Sequence, residues 1–128
     1  MGKYGIAAKH AVMLVAEGLD KNPRSAWEKV ILKDFQDSKS SQDKNCPKST
    51  FLALCEAGLV QGIVAGSYTG SVKNKKYALN AVGHLKTNPE LVADENKLWM
   101  LAIEGKDIKE NSQMDVVITL WSEGLIKR

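Results

Sequence analysis

Cys46 is the residue best placed for chemistry, because it precedes Pro47 and is flanked by Lys44 and Lys48. Proline suits the first position of a helix, so we expect the thiol at a helix N-terminus, whose partial positive charge stabilises a thiolate. A nucleophilic thiol also needs a base and an orienting group. Neither of the two histidines of the chain, His10 and His84, lies at a spacing that links it to this thiol. Cys46 is therefore a weak candidate catalytic residue, because the sequence indicates neither the base nor the orienting group that it would need.

A second candidate is the small, polar, glycine-rich segment 66–71. It leads into a lysine cluster that consists of Lys73, Lys75 and Lys76. Backbone amides at a helix start can receive an anion, and the lysines would add charge. The segment is not a P-loop, because the pattern GxxxxGK[ST] is absent. If it adjoins residues 39–48, the lysines form a basic patch with Tyr68 as a stacking platform for a base.

Metal and cofactor chemistry have little support in the sequence. There is no CxxC, no HExxH and no loop with EF-hand spacing. Cys55 lies on an apolar stripe and is expected in the core, and its separation from Cys46 makes a disulfide between the two geometrically poor. We therefore expect no metal site and no cofactor.

The composition is that of an ordinary globular domain, with 44% hydrophobic and 26% charged residues in 128. The net charge of +3 is well short of that of a dedicated nucleic-acid binder. No apolar run is long enough to span a membrane. Two cysteines without a secretory signal predict reduced thiols and a cytoplasmic location.

Apolar residues recur at helical spacing throughout, and no stretch alternates convincingly with period two, so the sequence predicts an all-α fold. Six helices are expected. They begin near, or are centred on, Tyr4, Ser25, Pro47, Ser71, Leu98 and Ser112. Ser25 and Glu28 have the form of a capping box, and Ser112 and Asp115 suggest a similar cap. Residues 36–45 and 62–70 are expected to be loops.

The chain also shows signs of an internal duplication. Residues 54–60 match 120–126, Asn22-Pro23 matches Asn88-Pro89, and Trp27 matches Trp99, with offsets between 66 and 73 residues. This predicts two three-helix units, about 1–64 and 65–128, that share one core in a single domain, 1–128.

The duplication also bears on where a site would lie. A pattern present in both units is most simply structural, because one site needs only one copy. The segments without a counterpart, 43–50 and 62–76, are therefore the better places to look.

Residues 40–48 (SSQDKNCPK), together with 68–71 (YTGS) and Asn74-Lys75, resemble a family of small bacterial proteins of unknown function. The resemblance implies a bacterial, cytosolic protein with no assigned activity. It supplies no catalytic or binding residue.

We therefore expect a small, non-catalytic binding or adaptor module whose polar face comprises residues 39–50 and 62–76. The candidate binding residues are Lys44, Cys46, Lys48, Tyr68, Lys73, Lys75 and Lys76. One alternative is nucleic-acid binding through the same lysines. Another is a thiol-dependent enzyme or redox sensor centred on Cys46. The expected partner is a protein or a nucleic acid, with no membrane, and the chain is a monomer or homodimer.

Overall fold

The computed structural model describes residues 2–128, and the elements in this range are helical. The α-helices are α1 (Lys3–Ala16), α2 (Pro23–Asp34), α3 (Lys39–Gln42), α4 (Asn45–Glu56), α5 (Val72–Thr87), α6 (Glu95–Ala102) and α7 (Gln113–Ser122), with a 3-10 helix at Pro89–Ala93. Since α3 is a single turn, six helices of residues 2–128 are eight residues or longer. The predicted all-α class is confirmed, and α3 is an addition within a segment expected to be a loop.

Helix α4 forms the centre of the fold. Its five consecutive residues 51–55 are almost completely buried, and they include Cys55, which was expected in the core. A helix that is apolar all round must be covered on every side. Helices α2, α5 and α7 supply that cover, while α1 packs on α2 and α7, and α6 packs on α5 and α7.

Two aromatic pairs attach the outer helices to this core. Trp27 of α2 stacks on Phe51 of α4 with ring centroids 5.5 Å apart. Trp99 of α6 meets Tyr77 of α5 edge-on, at 5.6 Å. Both tryptophans are buried among core residues, as their helical spacing predicts.

Helices α4 and α7 end in the same way. Gly58 and Gly124 adopt the left-handed conformation, with φ of 75° and 72°. The segments that follow then pair through an antiparallel bridge between Val60 and Ile126, whose side chains are buried. Its hydrogen bonds run from Gln61 N–H to Leu125 O (2.8 Å) and from Lys127 N–H to Leu59 O (2.7 Å). The bridge thus joins matching positions of the two predicted units, while the duplication itself stays a prediction.

Three helix starts differ from the sequence expectation, those of α2, α4 and α7. Helix α2 begins at Pro23, with Asn22 Oδ1 accepting from the Arg24 amide at 2.7 Å, so the predicted capping box of Ser25 and Glu28 is wrong. Asparagine followed by proline is a strong helix start, which explains the earlier beginning.

Helix α4 begins at Asn45, two residues before Pro47. Proline is tolerated there because the first amides of a helix have no intrahelical acceptor. Cys46 consequently lies inside the first turn of α4.

The start of α7 is also different. Ser112 has a φ of 69° and its side chain caps nothing, so the predicted cap is wrong. The Asp115 carboxylate instead serves α1: it accepts the amides of Gly2 (2.7 Å) and Gly5 (2.9 Å). The N-terminus of α1 therefore lies directly against α7.

This contact leaves no room for a side chain at residue 5. A Cβ on Gly5 would clash with the Thr119 hydroxyl and lie 2.7 Å from the main-chain oxygen of Asp115. Gly83, in the middle of α5, is the opposite case, because a Cβ there would meet nothing within 4 Å. The two glycines form a matched pair.

We predict that Gly5→Ala lowers the free energy of unfolding by about 1–3 kcal/mol or more, because it forces α1 away from α7. Gly83→Ala should raise it by about 0.5–1 kcal/mol, because alanine is the better helix former. Urea denaturation of both variants measures the difference. Equal effects of the same sign would contradict the close approach of α1 to α7.

Candidate functional site

A cleft of about 560 Å³ opens where α4, α5 and α7 begin. Its lining residues are Cys46 from α4, Ser71, Val72, Lys73, Asn74 and Tyr77 from the start of α5, Ile108, Lys109, Glu110 and Asn111 before α7, and Gln113 at the start of α7. The cleft thus brings together Cys46 and Lys73, which belong to the two segments that the sequence singled out. Lys109, Tyr77 and Gln113 are additions that the sequence analysis missed.

The convergence of three helix starts gives the cleft its electrostatic character. The first amides of each helix lack intrahelical acceptors, and each N-terminus carries a partial positive charge of roughly half a unit. Neither α4 nor α5 has an acidic residue in its first turn. The single acidic residue there in α7, Asp115, is engaged by α1. The partial positive charges at the starts of α4 and α5 are therefore not offset by an acidic residue in the first turn of either helix.

Two buried amide side chains form the inner wall of the cleft. Asn74 is 8% exposed and Gln113 is 3% exposed. Gln113 Oε1 accepts from the Asn111 amide at 2.6 Å, and Gln113 Nε2 donates to Asn74 Oδ1 at 3.3 Å. Buried polar groups of this kind are costly unless they are hydrogen-bonded. The two hydrogen bonds give partners to three of the four polar atoms of these side chains, namely both oxygens and Gln113 Nε2. They also connect the starts of α5 and α7.

A signal for both amides exists in the sequence. Asn74 is four residues before Ala78 and Gln113 is four residues before Val117, so each amide heads the apolar stripe of its helix. A polar residue at the head of a buried stripe indicates a polar group in the core. Its partners become visible only when the helices are packed.

The charged groups of the cleft are few. Lys73 and Lys109 are exposed, and neither forms an ion pair with any residue in the described range 2–128. Glu110 is the lining acid, and its Oε2 accepts from the Met114 amide at 3.1 Å. That hydrogen bond uses the carboxylate to complete the first turn of α7. The cleft therefore offers more donors than free acceptors.

Most of the other predicted lysines lie outside the cleft and are paired with glutamates. The pairs are Lys48 with Glu28 (3.4 Å), Lys75 with Glu56 (2.7 Å) and Lys76 with Glu104 (2.9 Å). Pairing reduces the positive charge that this face presents to solvent. Hydrogen bonding to Glu104 also raises the pKa of Lys76.

Lys44 and Tyr68 have structural contacts of their own. Lys44 donates to Ser112 Oγ at 3.1 Å and lies over the Tyr4 ring, 5.0 Å from its centroid. It therefore ties the start of α4 to the start of α7 beside the cleft. The Tyr68 hydroxyl donates to Val64 O at 2.6 Å, so its ring folds back on its own loop.

Glu56 holds the loop that leads into α5. Its Oε1 accepts the amides of Tyr68 (2.8 Å) and Thr69 (3.2 Å), and its Oε2 accepts from Lys75 (2.7 Å). The hydrogen bond from Lys75, followed by those from the two amides, lowers the pKa of Glu56 from 4.5 to about 2. These bonds position Ser71, whose Oγ accepts from the Asn74 amide at 3.3 Å and caps α5.

We predict that Glu56→Gln is less stable than the wild type at neutral pH, because it removes the charge that Lys75 pairs with. A carboxyl whose folded pKa is depressed contributes stability above its unfolded pKa and loses it as the pH falls through the folded pKa. The stability difference should therefore shrink between about pH 4.5 and about pH 2. Denaturation at a series of pH values measures it, with Glu17→Gln, an exposed carboxylate, as the control. A pH-independent difference would contradict the assignment.

The two cysteines are in different surroundings. Cys55 is completely buried, and burial raises the pKa of its thiol. Cys46 is half-buried and lines the cleft, and both thiols are free. The residues that line the cleft include no histidine. Cys46 thus remains the candidate nucleophile of the thiol hypothesis, but no histidine of the cleft lining could act as its base.

We predict that N-ethylmaleimide adds once to the folded protein, at Cys46, because the Cys55 thiol is inaccessible and protonated. Intact-mass spectrometry would show one adduct, two adducts in urea, and none in folded Cys46→Ser. Rapid double labelling of the folded protein would show that the packing around α4 is wrong.

Some kinds of site are not found in the range 2–128. No three histidine, cysteine or acidic side chains there cluster in a way that could hold a metal ion. The helices there are also too short or too polar to cross a membrane.

Comparison with known proteins gives one match. No curated protein and no solved structure matches this chain. A family model does match, over residues 1–127, and its description is "Family of unknown function (DUF6979)". Because the match covers nearly the whole chain, the protein belongs to this family of unknown function.

Proposed function

We propose that the protein is a small binding module that holds a metabolite-sized molecule in the cleft between the starts of α4, α5 and α7. The observation that carries the proposal is the cleft itself, about 560 Å³ with two buried amides in its wall. Pockets for small molecules are usually of this size, with a few polar groups set among apolar ones. The cleft also joins the two segments that the duplication leaves without counterparts.

The contacts favour binding over catalysis. Cys46 has no histidine beside it in the cleft, and the carboxylate of Glu110 is engaged by the Met114 amide. A thiol enzyme needs a base within hydrogen-bond reach. We therefore assign Cys46 to the wall of a binding site.

The contacts also favour a cleft ligand over a nucleic acid. A nucleic-acid surface needs several cations that are free to contact phosphates. Lys48, Lys75 and Lys76 are each paired with a glutamate. Lys73 is the unpaired member of the predicted patch that lines the cleft.

The proposal includes a bacterial cytoplasm as the location. Both cysteines are free thiols, which suits a reducing compartment. The resemblance of residues 40–48, 68–71 and 74–75 to small bacterial proteins points the same way. The duplicated origin of the fold belongs to the same proposal, supported by the bridge between Val60 and Ile126.

A thermal-shift screen with a blocked control tests the binding function. The panel contains carboxylates, phosphomonoesters, sugars, amines and nucleobases of metabolite size. The control is the protein with Cys46 capped by a bulky maleimide, and Cys46→Ser treated with the same reagent shows that the reagent alone has no effect. We expect at least one class to raise the Tm of the open protein and not of the capped one. If no compound does so, or if all stabilise both forms equally, the proposal is wrong.

A further inference from the structure

We propose that the cleft selects an anion, the carboxylate or phosphate group of a small organic molecule, and that Asn74 Nδ2 is the donor that recognises it. This inference rests on the proposed function, because it names the chemistry of the ligand for the same cleft. It goes beyond that function by committing to one charge and to one recognition residue.

The first step is the orientation of the buried amides. The Asn111 amide can only donate, so the Gln113 atom 2.6 Å away must be the oxygen. Gln113 Nε2 is thereby fixed as a donor, and the Asn74 atom that faces it must be Oδ1. The other end of the Asn74 side chain is therefore its NH2 group, which can only donate.

The second step is that this donor has no partner. Within residues 2–128, Asn74 Nδ2 makes no hydrogen bond with the protein, and it is not one of the side-chain atoms there that are both buried and unpartnered, which are Asp20 Oδ2 and Trp27 Nε1. The residue as a whole is 8% exposed, so this donor belongs to the small part of the side chain that is open to the cleft. Asn74 is also one of the residues that line the cleft. An acceptor in the cleft supplies the missing partner.

Other hydrogen-bond donors lie close to Asn74 Nδ2 in the cleft. Val72 and Lys73 lie in the first turn of α5 beside Asn74, where their amides have no intrahelical acceptor. Backbone amides at such a start, together with its partial positive charge, favour an anion over a neutral acceptor. Lys73 and Lys109 add two unpaired ammonium groups at the rim. Each of these groups donates, and the acid of the lining, Glu110, accepts from the Met114 amide, so a ligand that accepts hydrogen bonds fits this part of the cleft.

The apolar wall indicates that the anion is part of a larger molecule. Tyr77 is buried, and Ile108 packs against the core, and both line the cleft. A bare inorganic ion would leave this surface in contact with water. Burying an organic body against it adds about 25 cal/mol for each Å² of apolar surface removed from water.

The α1 helix shows how this fold holds a carboxylate at a helix start. Asp115 accepts the amides of Gly2 and Gly5, which occupy the N-cap and the third position of α1. At α5 the neutral Ser71 caps the corresponding turn. Asp115 thus shows how a carboxylate can sit at a helix start in this fold, and the evidence for an anion at α5 is the Asn74 donor that has no protein partner.

Protection of Cys46 from alkylation provides the test. The probes are phenyl phosphate, benzoate, benzamide and benzylamine, which share an aromatic body and differ in the charge and shape of the polar group. We expect phenyl phosphate or benzoate to protect Cys46 at lower concentrations than benzamide and benzylamine. The ratio of phenyl phosphate to benzoate identifies phosphate or carboxylate as the preferred group, and inorganic phosphate measures the contribution of the apolar wall.

Asn74→Asp is the decisive variant. It keeps the oxygen that accepts from Gln113 and places an acid in the first turn of α5, where a negative charge stabilises a helix. It also replaces the free donor by a charge that repels an anion. We expect the protective concentration of the anions to rise by about tenfold or more. Asn96→Asp, an exposed change of the same charge outside the cleft, is the matched control and should leave protection unchanged.

Asn74→Ala is a second variant that removes the donor without adding a charge. It should weaken protection by the anions as well, and a melting curve shows whether it is folded. If benzamide or benzylamine protects as well as the anions, or if Asn74→Asp binds anions like the wild type, the inference is wrong while a cleft ligand still stands. If no probe of any class protects Cys46 and the thermal-shift screen is also negative, both proposals fail.

Discussion

The burial of residues 51–55 of α4 on every side is the constraint on which the rest of the structure depends. Residues 51–55 can be removed from water only if other helices cover every side of α4, and α2, α5 and α7 do so. The bridge between Val60 and Ile126 ties the far ends of α4 and α7 together. Their beginnings consequently open at one place, beside the beginning of α5. The cleft is a consequence of how the core is packed.

The same packing makes this end of the molecule electrostatically unusual. Helix starts that converge bring partial positive charges together, which is unfavourable unless a negative group lies among them. The fold supplies such a group to α1, through Asp115, and to the first turn of α7, through Glu110. It supplies none to the first turn of α4 or of α5. In our proposal, a ligand with a negative group completes the arrangement that the side chains leave open.

The sequence predicts the helices well because apolar spacing is a local signal. Ala78, Ala81, Val82 and Leu85 recur at helical spacing in the sequence and are all buried, and a glycine in the left-handed conformation, Gly58, follows the end of α4. The sequence predicts the starts of helices less well. Both Asn22 and Ser25 could cap α2, and the packing of the helix decides between them. The buried amides Asn74 and Gln113 could not be paired from the sequence, because their contact joins positions 39 residues apart. The ion pairs of Lys48, Lys75 and Lys76 could not be predicted either, because each lysine pairs with a glutamate that is distant in the sequence.

The central claim is that Asn74 Nδ2 and the first amides of α5 receive an anion, and NMR tests it most directly. Phenyl phosphate is titrated into 15N-labelled protein while the side-chain NH2 resonances of Asn74 and the amides of Val72 and Lys73 are followed. The account predicts that these resonances shift together and saturate with one dissociation constant. Unchanged Asn74 resonances, with shifts only at exposed lysines elsewhere, would contradict it.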